Sequence, residues 1–363
     1  MCRIDRRRFV AALCTAPWLL PRAAWSKEVE STQSSPTLDL HVHLVGNGDT
    51  GSGCRLSPDI TGKWWFGLLV RKLGVYRRAR TFDEGYVHAL VETISCSGLD
   101  KAVVLAQDAA YDCHGQPDWG RTAVYVPNDY LFEVVGRFRQ RMVPCIGLNP
   151  DRAGAIEEME RCHQKGARLL KIYPPVHGVD LSDKKFVRFF RRCAELKMVV
   201  MVHTGHPKGL GTGDPTLGNP SKLALALEQG CTVVACHSGT SGWDDCPDMV
   251  PDFLAMIRKY PNLWGDTAAL CSRARSKNFL RLLADEVAPQ RFLYASDFPF
   301  PPSVGAFRST LGLRNTLQVR RVDNPMAQDY ALQQMLGVGR TAAERSYRLA
   351  HGQPPTPKAA ATA

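Results

Sequence analysis

A single α/β domain, a (β/α)8 TIM-type barrel with a lid insertion after its first strand, is the fold this sequence predicts. Three observations predict it. The 363-residue chain is long enough for one large barrel with insertions. Eight short apolar runs alternate with segments of helical spacing, the pattern of successive βα units. The polar residues suited to chemistry close these runs instead of interrupting them: Asp39-Leu-His41-Val-His43, Met201-Val-His203, Ala235-Cys-His237 and Ser296-Asp297-Phe-Pro. The C-terminal ends of parallel barrel strands share one face, so residues placed there can meet.

In chain order, residues 1–26 stand apart from the fold. Asp5-Arg6-Arg7-Arg8-Phe9 is a twin-arginine pattern, followed by an apolar run to Leu20 and by Ala24-Trp25-Ser26, which has the form of a cleavage site. A bacterial periplasmic protein is the expectation. Residues 27–36 read as a polar linker into the first strand, Leu38–His43. The excursion from Leu44 to about Arg80 holds Gly46-Asn-Gly-Asp-Thr-Gly-Ser-Gly53 and Lys63-Trp64-Trp65-Phe66. It reads either as a substrate lid or as a helical hairpin packing Trp64 and Trp65 on the barrel exterior.

Further strands are expected at 101–106, 143–148, 168–173, 198–202 before His203, 231–236 before His237, 263–267, and 292–296 before Asp297. Between the first two of these, Asn128–Gln140 carries Leu131, Val134, Val135 and Phe138 at helical spacing. The barrel spans 37–345. The tail 346–363, of low complexity from Gly352 onward, is expected to be disordered. No GxGxxG or GxxxxGK[ST] motif supports a nucleotide-binding alternative.

Composition narrows the partners. Arg3, Arg6, Arg7, Arg8 and Arg22 against Asp5 give residues 1–26 a charge of +4, so +7 of the +11 stays on the mature chain. Those basic residues are scattered and lack interleaved aromatics, which argues against nucleic acid. No segment beyond the N-terminus is apolar enough for stable membrane insertion, and a homo-oligomer remains open. The twelve cysteines include no CxxC pair. Cys145, Cys193, Cys231 and Cys236 read as buried small hydrophobes, while disulfides among Cys54, Cys113 and Cys246 stay open.

Residues i and i+2 of a strand point to one face, so the imidazoles of His41 and His43 can converge on one cation, with a third histidine and a late aspartate to complete the sphere. The ordered set of His41-x-His43, Gly166-Ala-Arg-Leu-Leu-Lys171-Ile-Tyr-Pro174, His203-Thr-Gly205, His237-Ser-Gly239 and Ser296-Asp297-Phe-Pro299 resembles the amidohydrolase superfamily. Within it, the set resembles the amidohydrolase-related group that includes aminocarboxymuconate-semialdehyde decarboxylase. The resemblance implies that His41, His43, His203 and Asp297 hold one divalent metal ion, zinc first and manganese as the alternative. Three imidazoles and a carboxylate do suit zinc with one position open for water.

By the same resemblance, Asp297 orients that water and accepts its proton. His237 is cast as an outer-sphere acid/base or carbonyl-polarising group. Lys171 is a carboxylated bridge in two-metal members and not a ligand in the one-metal group, whose sequence context it shares. The activity expected is metal-dependent hydrolysis of an ester, lactone or amide in a small-molecule substrate. The alternatives are non-oxidative decarboxylation of an unsaturated or aromatic acid, and metal or ligand binding without turnover. Decarboxylases of this group use an early-loop arginine on the substrate carboxylate. Here Arg55 and Arg71 fall in no such motif, and His206 or Lys208 are further candidates for an anionic group.

Overall fold

A computed structural model describes residues 35–207, 213–242 and 246–353. The twin-arginine segment, nearly all of the linker and Lys208 therefore lie outside the described residues. The body of the chain from Pro36 onward forms one compact unit. Its eight-stranded parallel sheet takes the strands in chain order: β1 Leu38–His43, β2 Lys101–Leu105, β3 Met142–Gly147, β4 Leu169–Ile172, β5 Val199–His203, β6 Thr232–Cys236, β7 Leu263–Asp266 and β8 Phe292–Leu293. All eight expected strands are present. The last extends as backbone past its ladder, and Leu40 N–H to Tyr294 O (3.0 Å), Asp297 N–H to His41 O (3.0 Å) and His43 N–H to Phe298 O (2.9 Å) bring β8 back to β1.

These strands are buried on both faces, as expected for a parallel sheet wrapped by helices. Leu38, Leu40, Val103, Leu105, Cys145, Leu169, Val199, Met201, Val234 and Leu293 fill the barrel interior. Their neighbours Val42, Val104, Ile146, Leu170, Val200, Val233 and Phe292 face the surrounding helices. Alternation alone, with Leu38 and Leu40 inside, would send His41 and His43 outward. The strand avoids this with a bulge: three residue steps from Asp39 to Val42 on β1 match two from Ala102 to Val104 on β2. The buried Asp39 carboxylate holds the bulge by accepting the N–H groups of His41 (3.1 Å) and Ser296 (3.0 Å).

The insertion carries a short antiparallel ribbon partner, Arg55–Leu56 with Val124–Tyr125, and helices Pro58–Thr61, Trp64–Leu73 and Val75–Arg78. Its glycine-rich loop wraps the buried Asp83 carboxylate, which accepts from Asn47 N–H (2.6 Å), Thr50 Oγ1 (2.9 Å) and Ser52 Oγ (2.6 Å). Asp49 in turn accepts from Phe82 N–H (2.6 Å) at the start of the helix Phe82–Ser95. Trp64 is 80% exposed, so it does not pack on the barrel, while Trp65 and Phe66 are half-buried beside the barrel mouth.

At the other end, the helix Gly339–Ala350 sends Leu349 and Ala350 into the interior cluster. Residues 346–350, expected to belong to the tail, are instead the last turns of this helix, where Leu349 and Ala350 pack under barrel side chains. Residues 354–363 lie outside the described residues. Cys145, Cys193, Cys231 and Cys236 are buried as expected, and Cys54 and Cys113 are free thiols.

Candidate metal centre

Five strand ends deliver the polar cluster. Asp297 follows β8 with a left-handed backbone (φ 64°), a conformation aspartate tolerates better than most residues. Its carboxylate oxygen lies 3.1 Å from His43 Nε2 and 3.3 Å from His41 Nε2. His237 (φ 63°) and Ser238 (φ 49°) turn left-handed directly after β6. The glycines of the two His-x-Gly motifs have a steric reason. Gly205 has φ 77°, and a Cβ there would stand 2.1 Å from the Thr240 carbonyl oxygen; Gly239 has φ 72°, and its Cβ would stand 2.8 Å from that of Met249.

Hydrogen bonding sets the imidazole tautomers. A carbonyl oxygen only accepts, so His237 Nδ1, 2.9 Å from Ala268 O, carries the proton and Nε2 carries a lone pair. That lone pair accepts from His203 Nδ1 at 3.1 Å, which leaves His203 Nε2 bare. Likewise His41 Nδ1 donates to Asp266 Oδ2 at 2.8 Å, leaving His41 Nε2 bare. Both bare nitrogens are buried without a hydrogen-bond partner. Burial, followed by the nearby Lys171 charge, holds His41 and His203 well below the ordinary histidine range, so the lone pairs stay available. His43 Nδ1 reaches the Tyr173 hydroxyl at 3.4 Å.

The carboxylates differ. Burial raises Asp266 above the usual range against the pull of Lys171. For Asp297, burial is outweighed by the His43 hydrogen bond and neighbouring positive charge, and the group stays below its ordinary value. The Cys236 thiol, near Asp266 and His41, is pushed well up by burial and is a poor ligand as a thiol.

Of the residues expected from the sequence, His41, His43 and Asp297 are in mutual contact, and His203 joins through His237. The ligand atoms of His41, His237 and Asp297 lie within 4.8 Å of one another, so His237 sits nearer the cluster than an outer-sphere group need be. Lys171 is fully buried with Nζ lacking a hydrogen-bond partner, 4.8 Å from the Tyr173 ring centre. Arg55 lies over the Trp119 ring at 4.2 Å, and Arg71 is exposed. Among the described residues of the loop after β5, His206 is half-buried, and its carbonyl receives Arg275 Nη2 at 3.4 Å.

Sequence reading missed Asp266 and Arg275. Asp266 closes the seventh run as the histidines close theirs, and that position was its signal. Arg275 lies in a loop with no periodicity, and only the fold buries its guanidinium near Asp297 and Asp266.

A family model described as Amidohydrolase matches residues 98–349, more than half of the chain. The chain belongs to the amidohydrolase family. The first-strand histidines precede the matched span, and the structure joins them to it through Asp266 and Asp297. Three solved structures resemble this amidohydrolase. One is an uncharacterized TIM-barrel protein from Bordetella bronchiseptica (18% identity, 87% of this chain and 99% of that one, TM-score 0.55). Another is a putative 2-pyrone-4,6-dicarboxylic acid hydrolase from Pseudomonas putida (15%, 87% and 98%, 0.53). The third is an amidohydrolase from Burkholderia multivorans with bound zinc (13%, 88% and 100%, 0.52). At these identities the likeness is one of fold.

Proposed function

We propose that this amidohydrolase is a metal-dependent hydrolase in which water attacks an ester, lactone or amide carbonyl. The observation that carries the reading is the bare, buried His41 Nε2, 3.3 Å from the Asp297 carboxylate that His43 Nε2 also touches at 3.1 Å; a second bare, buried nitrogen, His203 Nε2, belongs to the ring that joins this cluster through His237. Buried lone pairs without partners are costly unless a ligand occupies them, and neutral imidazoles with a carboxylate are the donors zinc prefers. His41, His43, His203 and Asp297 would hold the ion. Asp266 would fix the His41 ring as a carboxylate behind a ligating histidine. When bound, a divalent cation supplies a Lewis acid and brings the pKa of water to about 7.

The protein's own groups do the rest. Asp297, kept anionic, accepts the proton of the attacking water. That proton passes from Asp297 to His237 Nε2, which gives up the His203 Nδ1–H to receive it, and from there to the leaving group, with Ala268 O holding the His237 Nδ1–H. Lys171 and Arg275 place positive charge near the developing oxyanion.

Non-oxidative decarboxylation has one observation in its favour, the buried Arg275 guanidinium near Asp297, which could receive a substrate carboxylate. The test is metal analysis of the purified protein together with a panel of esters, lactones, amides and aromatic acids. We expect about one equivalent of divalent metal and ester, lactone or amide turnover that falls by about a hundredfold or more in Asp297→Asn. Carbon dioxide release from an acid, without hydrolysis, would move the protein to the lyases.

A further inference from the structure

The insertion encloses space that the centre does not use. Between its helix Trp64–Leu73 and the barrel mouth lies a cavity of about 60 Å³, several times the ~10–15 Å³ that one water molecule needs. His43 and Pro299 line it on the barrel side, and Asp297 is two residues from Pro299, so the cavity opens directly beside the strand-end cluster. Phe66 and Leu69 wall it from the insertion and Leu56 from the ribbon. None of the described residues lining it is Lys, Arg, Asp or Glu. The Tyr86 hydroxyl is already spent on the His43 carbonyl at 2.8 Å. One polar side chain in the wall is left over: Gln107 is 3% exposed, and its amide nitrogen has no hydrogen-bond partner.

Away from His43 the wall is apolar and carries no Lys or Arg, so a carboxylate placed against the insertion loses its water and gains no partner. A buried donor left unpaired points to an acceptor missing from the protein. We infer that the substrate carries an uncharged aryl or branched-alkyl body that fills this cavity, with one neutral oxygen acceptor placed for the Gln107 amide. The inference rests on the hydrolase reading for which bond is cut, and adds which side of that bond is apolar. The insertion thus acts as the wall of a specificity pocket, anchored by the Asp49 and Asp83 clasps described above.

Calorimetric binding to the metal-loaded full chain tests it without turnover. The probes are acetophenone, a neutral aryl ketone, and isophthalate, a dianion of similar ring size. Leu69→Trp fills the cavity from a half-buried helical position, and Gln107→Leu removes the donor; melting temperatures of both variants report the fold. Acetophenone should bind at least tenfold more weakly to Leu69→Trp and about three- to tenfold more weakly to Gln107→Leu, while isophthalate should be indifferent to both. Acetophenone that does not bind, that binds all variants equally, or that is matched by isophthalate in its response would overturn the inference. Should Leu69→Trp not fold, Gln107→Leu decides alone, because its amide nitrogen has no partner to lose. A protein that passes this test but cleaves no ester, lactone or amide fails the hydrolase reading only. One that cleaves them while its ketone binding ignores both variants fails this inference only.

Discussion

The two ends of the same eight strands follow different rules. At the floor of the barrel, Leu38, Leu40, Val103, Leu169, Val199 and Leu293 interdigitate with Leu349 and Ala350, and alternation of side chains accounts for every one of them. At the mouth, the same strands end in His41, His43, Lys171, His203, Asp266 and, just beyond, His237 and Asp297, nearly all of them buried. There the backbone departs from regularity: a bulge in β1 and left-handed residues at 237, 238 and 297. The floor minimises free energy locally, whereas the mouth buries polar groups and tolerates strain that only a ligand or a reaction repays. The difference teaches where to separate stability from chemistry within one strand.

The sharpest separation lies in β1. His41→Ala/His43→Ala should remove essentially all bound metal and all measurable turnover while circular dichroism keeps the barrel signature, with metal content read by elemental analysis. A double variant that retains a full equivalent breaks the assignment of the mouth. Three residues earlier, Leu38→Ala should do the converse. We expect a loss of about 2–5 kcal/mol in denaturant unfolding, the usual scale for a buried leucine cut to alanine, with metal stoichiometry unchanged. If Leu38→Ala loses metal in proportion to stability, floor and mouth are not separable.

Asp266→Asn tests the layer behind the ligands. Its carboxylate orients His41 through a 2.8 Å hydrogen bond, and loss of that charge should weaken metal binding by about 10- to 100-fold in competition with a chelator. Unchanged affinity would make Asp266 a structural residue of the floor type.

The smallest effect concerns a buried carboxyl away from both ends. Asp329 accepts from Gln333 Nε2 (2.7 Å) and the Tyr294 hydroxyl (3.2 Å), with Asp39 and Cys271 also facing it. Burial, then the neighbouring Asp39, raises it well above the ordinary carboxylate range. The folded state therefore holds a proton that the unfolded chain gives up. The stabilising contribution is complete below the unfolded value near 3.8 and is lost as pH rises toward the folded one. Asp329→Asn carries no such titration, so its melting temperature relative to the unsubstituted protein should climb by a few degrees between pH 5 and pH 8. A difference that stays flat or falls would show that the carboxyl is ionised in the fold.

Much of this molecule is legible in its sequence because it depends on short-range rules. Eight apolar runs marked eight strands, and the polar residue closing a run marked the mouth in β1, β5 and β6 and just beyond β8. The same rule extended to Asp266 would have found the partner of His41. The bulge was not legible: Asp39 and Val42 look like ordinary strand residues, and only pairing with β2, together with the Ser296 N–H that Asp39 accepts, shows the extra residue. The tautomers of His41, His203 and His237 depend on partners 31 to 225 positions away, one of them a carbonyl in another loop. Arg275 and the cavity behind Gln107 likewise exist only once distant segments close around them. Local pattern determines which residues sit on which strand and at which end. Burial, hydrogen-bond pairing and the availability of a lone pair are set by atoms remote in the chain, and those decide what the strand ends can bind.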